Sequence, residues 1–212
     1  MKKSLAKNSI YNIIYTVANI LFPFATSIYV SRILLPAGVG KVASAQNIAS
    51  YFITIAALGL PSYGVREFGK IREKKDKRNK LFTELLLLNI ISTTLALIGY
   101  FWLVAVNGGF NGEWFLYAAC GLAIAFNYLN IDWMYQGLEE YGYITGRSLL
   151  IKGLSLLTLF LFVKTKQDYI VYALISSLAT GGNYIFNDIH ARKLVSIDFS
   201  RVELKNHIKP VL

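Results

Sequence analysis

Residues 8–31 read NSIYNIIYTVANILFPFATSIYVS and carry no charged side chain over 24 positions. A helix of about 20 apolar residues is long enough to cross the ~30 Å hydrocarbon core of a bilayer. Further uncharged runs occupy residues 42–65 and 85–112, and the whole chain of 212 residues is 55% hydrophobic against 16% charged. The sequence therefore predicts an all-α membrane protein rather than a soluble domain.

The hydrophobic runs predict a bundle of six transmembrane helices in one domain. We expect spans at about residues 8–31, 42–65, 82–106, 114–136, 146–163 and 169–187. The fifth is the weakest prediction, because its apolar run is short and contains Lys152, so we expect its helix to start earlier, near Tyr143. The first run is too long for the core of a secretory signal and is predicted to be retained.

The basic residues predict the orientation of the bundle. Eighteen of the 22 Lys and Arg residues lie at the N-terminus, in a basic loop at 66–80, around Arg147 and Lys152, or in the tail at 188–212. The other side has Arg32, Lys41, Lys164 and Lys166. Because basic loops stay preferentially in the cytoplasm, both termini are predicted to be cytoplasmic. The same asymmetry explains the net charge of +10 without nucleic acid as a partner, with loop 66–80 touching anionic lipid headgroups.

Polar side chains inside two spans recur at helical spacing. Span one carries Asn8, Asn12, Tyr15 and Asn19 at i, i+4, i+7 and i+11, continued by Pro23 and Thr26. Span six repeats this spacing with Ser176, Thr180, Asn183 and Asn187, and span three adds Asn89. Such stripes either hydrogen-bond helices to one another or line a water-filled cavity, and their length favours the cavity.

Two charged residues fall within the predicted spans four and five. Asp132 and Lys152 each lie five residues from the expected cytoplasmic ends of their helices, at matching depth if the helices are antiparallel neighbours. A lone charge at that depth is costly, so we expect the two to pair. The functional alternative is a cavity for an anionic ligand, in which Asp132 positions Lys152, and Arg147 and Gln136 contribute to the site.

Helix breakers indicate where the bundle could bend. Pro23 interrupts the first span, and Gly59 and Pro61 interrupt the second near its cytoplasmic end. We predict hinges at these three residues.

The sequence offers little material for catalysis. It has one cysteine, Cys120, and two histidines, His190 and His207, and it contains no glycine-rich phosphate loop or Ser-His-Asp set. We therefore expect no enzymatic activity, no catalytic residues, no metal site and no cofactor.

Three segments resemble a known family. SRILLPAGVG at 31–40, GLPSYGVRE at 59–67, and DWMYQGLE at 132–139 followed by Arg147 are similar to polysaccharide-biosynthesis flippases. These are the Wzx-type O-antigen and capsule repeat-unit transporters of the multidrug/oligosaccharidyl-lipid/polysaccharide exporter superfamily. The resemblance extends over essentially the whole chain.

The resemblance implies two helical lobes around a central cationic cavity. Such transporters move undecaprenyl-pyrophosphate-linked oligosaccharides from the cytoplasmic to the periplasmic leaflet of the bacterial inner membrane by alternating access. Lys152, Arg147 and Arg66 would then bind the pyrophosphate, and the polar stripes would bind the sugars.

Family members have about twice as many spans, which implies that this chain is the N-terminal lobe and ends where a seventh helix would start. The expected partners are the glycan lipid, the bilayer, a second lobe and the polysaccharide polymerase machinery. A drug or cation antiporter of the same superfamily and a membrane scaffold without transport activity are the alternatives.

Overall fold

The computed structural model describes residues 5–199 and 202–211, and these residues are almost entirely helical. Three of the basic residues on which the predicted orientation rests, Lys2, Lys3 and Arg201, lie outside the described residues. The α-helices are α1 (Leu5–Ala57), α2 (Leu60–Lys70), α3 (Lys75–Val106), α4 (Gly108–Gly112), α5 (Trp114–Ala125), α6 (Asp132–Gly137), α7 (Tyr141–Phe162), α8 (Tyr169–Gly181), α9 (Asn187–Ala191) and α10 (Lys205–Val211). Two 3-10 helices, Phe126–Leu129 and Gly182–Phe186, follow α5 and α8. No strand occurs in the described ranges, so the all-α prediction is confirmed.

Helix α1 contains the first two predicted spans and breaks at one residue. A straight α-helix of 53 residues would measure about 80 Å, more than twice the hydrocarbon core. The break is at Leu35, whose φ of 58° and ψ of 170° are not helical. Leu35 precedes Pro36, and a proline disfavours helical geometry in the residue before it. The predicted loop at 32–41 is therefore replaced by a kink at one residue. The proline predicted as a hinge in this helix, Pro23, lies away from the kink.

The two parts of α1 pack against different helices. The first part runs parallel to α7: Thr145 Oγ1 donates to the Tyr11 carbonyl at 2.9 Å, and the Tyr29 hydroxyl donates to the Val163 carbonyl at 2.8 Å. The second part runs alongside α3 and α5, where Val42, Ala45 and Ala49 are fully buried. Small side chains at this interface allow close helix contact, which is typical of membrane helices.

The cytoplasmic basic loop predicted at 66–80 is mostly helical. Helix α2 covers residues 60–70 and α3 begins at Lys75, so only residues 71–74 connect them. The break before α2 contains Leu58, with φ of 47°, and Gly59, and Pro61 follows in the first turn. Two of the three predicted hinge residues thus lie at an interruption of the helix, and whether that interruption moves stays a prediction.

The fourth predicted span is interrupted rather than continuous. Helix α5 ends at Ala125, a 3-10 turn follows, and Asn130 has an extended backbone with ψ of 95° before α6 begins at Asp132. Helix α7 starts at Tyr141, earlier than residue 146, as its short apolar run suggested. The sixth span also ends in a 3-10 turn, after Gly181.

The outer surface is apolar, as a lipid-facing surface must be. Exposed side chains include Phe115 at 79%, Leu161 at 66% and Leu95 at 65%. Within the described part of the chain, three helical stretches are long and apolar enough to cross a membrane: Asn8–Lys70, Lys75–Val106 and Tyr141–Phe162. Trp114–Leu129 is apolar but shorter. The count of six spans requires α1 to cross twice, and it stays a prediction.

The C-terminal strap, residues 192–199 and 202–211, crosses the ends of α2 and α3. Glu84 of α3 is 3% exposed; its Oε1 accepts the backbone N–H of Glu203 at 2.8 Å, and its Oε2 lies 2.9 Å from His207 Nε2. The other ring nitrogen of His207 lies 2.7 Å from the Tyr63 hydroxyl. A buried carboxylate therefore holds the strap through two separate groups.

The strap ends against Gly59. The backbone N–H of Gly59 donates to the Val211 carbonyl at 2.7 Å, and a Cβ at position 59 would lie 2.6 Å from that oxygen. Glycine is therefore required here by the close approach of α10 to the break between α1 and α2.

Replacing Glu84 by alanine is expected to release the strap. The change leaves the Glu203 N–H and the His207 ring without their acceptor, which costs about 1–3 kcal/mol of local stability. Hydrogen exchange followed by mass spectrometry should show faster exchange across residues 203–211. Glu73→Ala, in the exposed connection between α2 and α3, is the control. Unchanged protection in Glu84→Ala would show that the strap is held by other contacts.

Candidate functional site

A polar cavity of 360 Å³ lies between α1, α7 and α8. Its lining combines hydroxyl, amide, aromatic and charged side chains, which is unusual in the interior of a hydrophobic bundle. The lining residues are Tyr15, Asn19, Phe22, Pro23, Thr26, Gln46, Asp132, Arg147, Ser148, Lys152, Tyr172, Ser176, Ala179, Thr180, Asn183 and Tyr184. The polar faces of the first part of α1 and of α8 thus border one space.

Lys152 supplies the uncompensated positive charge of this cavity. It is half-buried on α7, its Nζ donates to Asn19 Oδ1 of α1, and it lies 5.9 Å from the centre of the Phe22 ring and 6.0 Å from that of Tyr15. No carboxylate pairs with it in the described part of the chain. An ammonium group held only by an amide and two rings remains available to an anion.

Arg147 is held in a buried junction at one end of the cavity. Its side chain is 5% exposed, and its Nη2 donates to both oxygens of Asp132, at 2.9 and 3.0 Å. Its Nη1 donates to Asn187 Oδ1, and Asn187 Nδ2 in turn donates to the Leu129 carbonyl at 2.8 Å. The Asp132–Arg147–Asn187 junction therefore joins α6, α7 and the start of α9.

The expected pairing of Asp132 with Lys152 is wrong. Arg147, five residues earlier on α7, takes Asp132 instead. The prediction assumed a continuous fourth helix, but the interruption at 126–131 moves Asp132 to the N-terminus of the separate helix α6. A guanidinium also matches a carboxylate through its planar set of donors, which an ammonium cannot do.

Two buried polar atoms of the cavity-lining residues have no hydrogen-bond partner among the described residues. They are Arg147 Nε, a donor, and Asn183 Oδ1, an acceptor. Both residues are 8% exposed. Buried polar groups are nearly always satisfied, so the cavity offers unused hydrogen-bonding capacity to a polar ligand or to water.

The cavity also contains aromatic residues that the sequence analysis did not single out. Tyr172 lies one turn before Ser176, and Tyr184 lies one turn after Thr180, so extending the span-six stripe in both directions would have found them. The ring of Tyr184 lies 6.0 Å from the Arg147 guanidinium carbon. Phe22 and Ser148 were also missed, and Ser148 is one turn before Lys152.

The structure brings most of the predicted site residues together. Nine line the polar cavity: Lys152, Arg147, Tyr15, Asn19, Asp132, Ser176, Thr180, Asn183 and Pro23. Asn8 and Asn12, nearer the start of α1, do not line it. Gln136 of α6 lies outside it, and Arg66 is exposed on α2, where its Nε donates to Glu67 at 3.0 Å. Arg66 is thus separated from the other two predicted cations.

Asn89 belongs to a different polar cluster. It is 2% exposed, and its Nδ2 donates to the Asn127 carbonyl at 2.6 Å. Asn127 Nδ2 donates in return to Asn89 Oδ1 at 3.0 Å and to Thr93 Oγ1 at 2.9 Å. These amides connect α3 to the 3-10 turn after α5. At Asn89 the polar position therefore serves hydrogen bonding between chain segments and not the lining of a cavity.

The opposite end of the bundle is tied by Glu113. Lys41 Nζ lies 2.5 Å from its Oε1, and the Tyr169 hydroxyl donates to its Oε2 at 2.7 Å. The hydrogen bond from Lys41 and then that from Tyr169 lower the pKa of Glu113 below its ordinary value. This contact joins α1, α5 and α8 outside the polar cavity.

Removing Asp132 is expected to destabilise the fold strongly. Asp132→Asn would leave the buried guanidinium of Arg147 without a counter-charge, at a cost of about 3–5 kcal/mol. Thermal unfolding in detergent should show a large drop in the melting temperature of Asp132→Asn. The double variant Asp132→Asn/Arg147→Gln should recover part of the lost melting temperature. Glu67→Gln, in an exposed pair, should cost at most about 1 kcal/mol. A drop for Glu67→Gln as large as that for Asp132→Asn would contradict this account.

The two faces of α8 are expected to differ in their access to water. Single cysteines at Ser176 and Thr180, in a Cys120→Ala background, should react with a membrane-impermeant maleimide because they line the polar cavity. Cysteines at Leu174 and Leu178, exposed at 39% and 41% on the same helix, face away from it and should not react. Equal reaction at all four positions would show that the cavity is not a distinct aqueous space.

Comparison with known proteins gives the family of this chain. Residues 5–205 match the family described as "Polysaccharide biosynthesis protein". The chain is 26% identical over 178 residues to the "Putative O-antigen transporter" of Escherichia coli (strain K12), an alignment that covers 84% of this chain and 43% of that protein. The chain thus spans less than half the length of this relative. No solved structure matches.

These findings agree with the apolar exterior and with the three long apolar helices, which together describe a multi-pass membrane protein. The name of the relative describes that protein as a transporter of O-antigen. The family resemblance is confirmed over residues 5–205, and the chain belongs to the polysaccharide biosynthesis protein family.

Proposed function

We propose that this chain forms one lobe of a flippase for lipid-linked sugars. The substrate is an undecaprenyl-pyrophosphate-linked oligosaccharide repeat unit, which moves from the cytoplasmic to the periplasmic leaflet of the bacterial inner membrane. Both termini lie in the cytoplasm, and six spans form the lobe. The observation that carries the proposal is a polar cavity inside a membrane bundle with one uncompensated cation, Lys152.

Lys152 is the group we assign to the pyrophosphate. An anion with several charges needs a compensating cation when it leaves water, because electrostatic interactions strengthen in a low-dielectric interior. Arg147 is already neutralised by Asp132, and it donates a hydrogen bond to Asn187. Its role is therefore to position the cavity wall. Arg66, exposed on α2, lies where it can contact headgroups and not the cavity.

The rest of the lining suits sugars. Tyr15, Tyr172 and Tyr184 present both an apolar ring and a hydroxyl, as sugar faces require. The hydroxyl and amide groups of Ser176, Thr180 and Asn183 offer donors and acceptors for sugar hydroxyls. The unpartnered Asn183 Oδ1 is one such acceptor.

Alternating access supplies the movement in this proposal. A second lobe would close the open side of the cavity, and rocking of the lobes would expose Lys152 first to one leaflet and then to the other. The break at Leu58 and Gly59 is the candidate hinge in this lobe.

The cavity argues against cation exchange. Its one carboxylate among the described lining residues is Asp132, which accepts two hydrogen bonds from Arg147. An exchanged cation would have to displace this guanidinium from its partner, leaving a buried charge uncompensated.

Charge reversal at Lys152 tests the proposal. Proteoliposomes are loaded with a fluorescent polyprenyl-pyrophosphate-linked glycan, and translocation is followed for the full transporter that contains this chain. Lys152→Glu should abolish translocation without loss of membrane insertion, and Lys152→Arg should retain part of it. Lys166→Glu reverses an exposed charge between α7 and α8 and is the matched control. Normal translocation by Lys152→Glu would refute the assignment.

A further inference from the structure

A second, apolar groove lies on the other side of the Asp132–Arg147–Asn187 junction. It has a volume of 790 Å³, within the ~300–1,000 Å³ range of small-molecule sites. We call it the apolar groove; its walls include Phe82, Leu86 and Ile90 of α3, Leu129 of the 3-10 turn, and Val195 and Ile197 of the C-terminal strap. Asn187 borders the groove on one side and holds Arg147 of the polar cavity on the other.

The α3 wall of the groove belongs to a helix that is long and apolar enough to cross a membrane. Phe82, Leu86 and Ile90 follow one another at four-residue intervals, so they form one apolar line along the helix axis. Ile197 is 56% exposed and Ile90 is 39% exposed, so the groove opens outward. Its shape and chemistry therefore suit a hydrocarbon chain lying along α3.

Positive charge lies at the end of this line. Arg78 is one helical turn before Phe82, and its Nε is buried without a hydrogen-bond partner in the described ranges. Arg192 contributes to the groove wall. Arg78 belongs to the densest basic run of the sequence, residues 66–80. An anionic headgroup complements these charges.

We propose that the apolar groove binds an anionic glycerophospholipid, with one acyl chain along α3 and its phosphate against Arg78 and Arg192. This site is separate from the sugar site of the proposed function. A carrier lipid whose pyrophosphate lies at Lys152 is on the other side of the buried junction from the groove. Membrane phospholipid meets the groove directly from the bilayer.

Native mass spectrometry of the protein released from nanodiscs tests this site. The probes are phosphatidylglycerol and phosphatidylcholine of the same acyl length, supplied as an equimolar mixture. Phosphatidylglycerol adducts should dominate in the wild type. Each arginine near a lipid surface contributes about 1 kcal/mol, so Arg192→Gln should weaken phosphatidylglycerol binding about fivefold.

A tryptophan in the groove provides the steric test. Leu86→Trp should fill the groove and reduce adducts of both lipids, whereas Leu95→Trp, on an outward-facing part of the same helix, should leave them unchanged. A melting temperature for each variant shows that it is folded. Equal adducts of the two lipids in the wild type, or unchanged adducts in folded Leu86→Trp, would overturn the proposal.

A third probe separates the two lipid sources. If undecaprenyl phosphate displaces phosphatidylglycerol from the wild type at equal concentration, the groove belongs to the carrier lipid and the proposal is wrong. If phosphatidylglycerol persists, the phospholipid assignment stands whether or not the translocation experiment with Lys152→Glu succeeds.

Discussion

The guanidinium of Arg147 is buried in a bundle whose exterior is apolar, and the structure around it is arranged to make that charge tolerable. Its burial requires Asp132, and Asp132 reaches it because the helix after α5 is interrupted and restarts as α6. Asn187 completes the set at the point where the 3-10 turn after α8 becomes α9. One buried charge thus fixes the relative positions of three chain segments, since a missing partner would cost several kcal/mol.

Two chemically distinct surfaces border the same junction. On one side lies the polar cavity with Lys152, and on the other lies the apolar groove along α3. Because Asp132 neutralises the charge of Arg147, the charge of Lys152 alone defines the electrostatic character of the cavity. The junction thus keeps the polar and the apolar surface apart.

The C-terminal strap connects the apolar groove to the break between α1 and α2. Its non-helical part forms a wall of the apolar groove, while His207 and Glu203 are held by the buried Glu84. Its last described residue, Val211, meets Gly59 at the break between α1 and α2. Movement at that break would therefore displace the strap and the groove wall that the strap forms. The strap is thus a physical link between a candidate hinge and a lipid-facing site.

The sequence by itself determined the all-α membrane fold, because long uncharged runs allow few other structures. It also determined the two polar stripes that border the cavity, because helical spacing places Tyr15 with Asn19 and Ser176 with Thr180 whatever the neighbours are. Only the tertiary structure decided which charges pair. The helix interruption at 126–131 places Asp132 beside Arg147 and not beside Lys152. The kink at Leu35, which precedes Pro36, replaces a predicted loop. Asn89 lies outside the cavity because packing brings it to Asn127, which its periodicity could not show. Arg66 also lies apart from the other two cations, and it pairs with the next residue of the chain, Glu67.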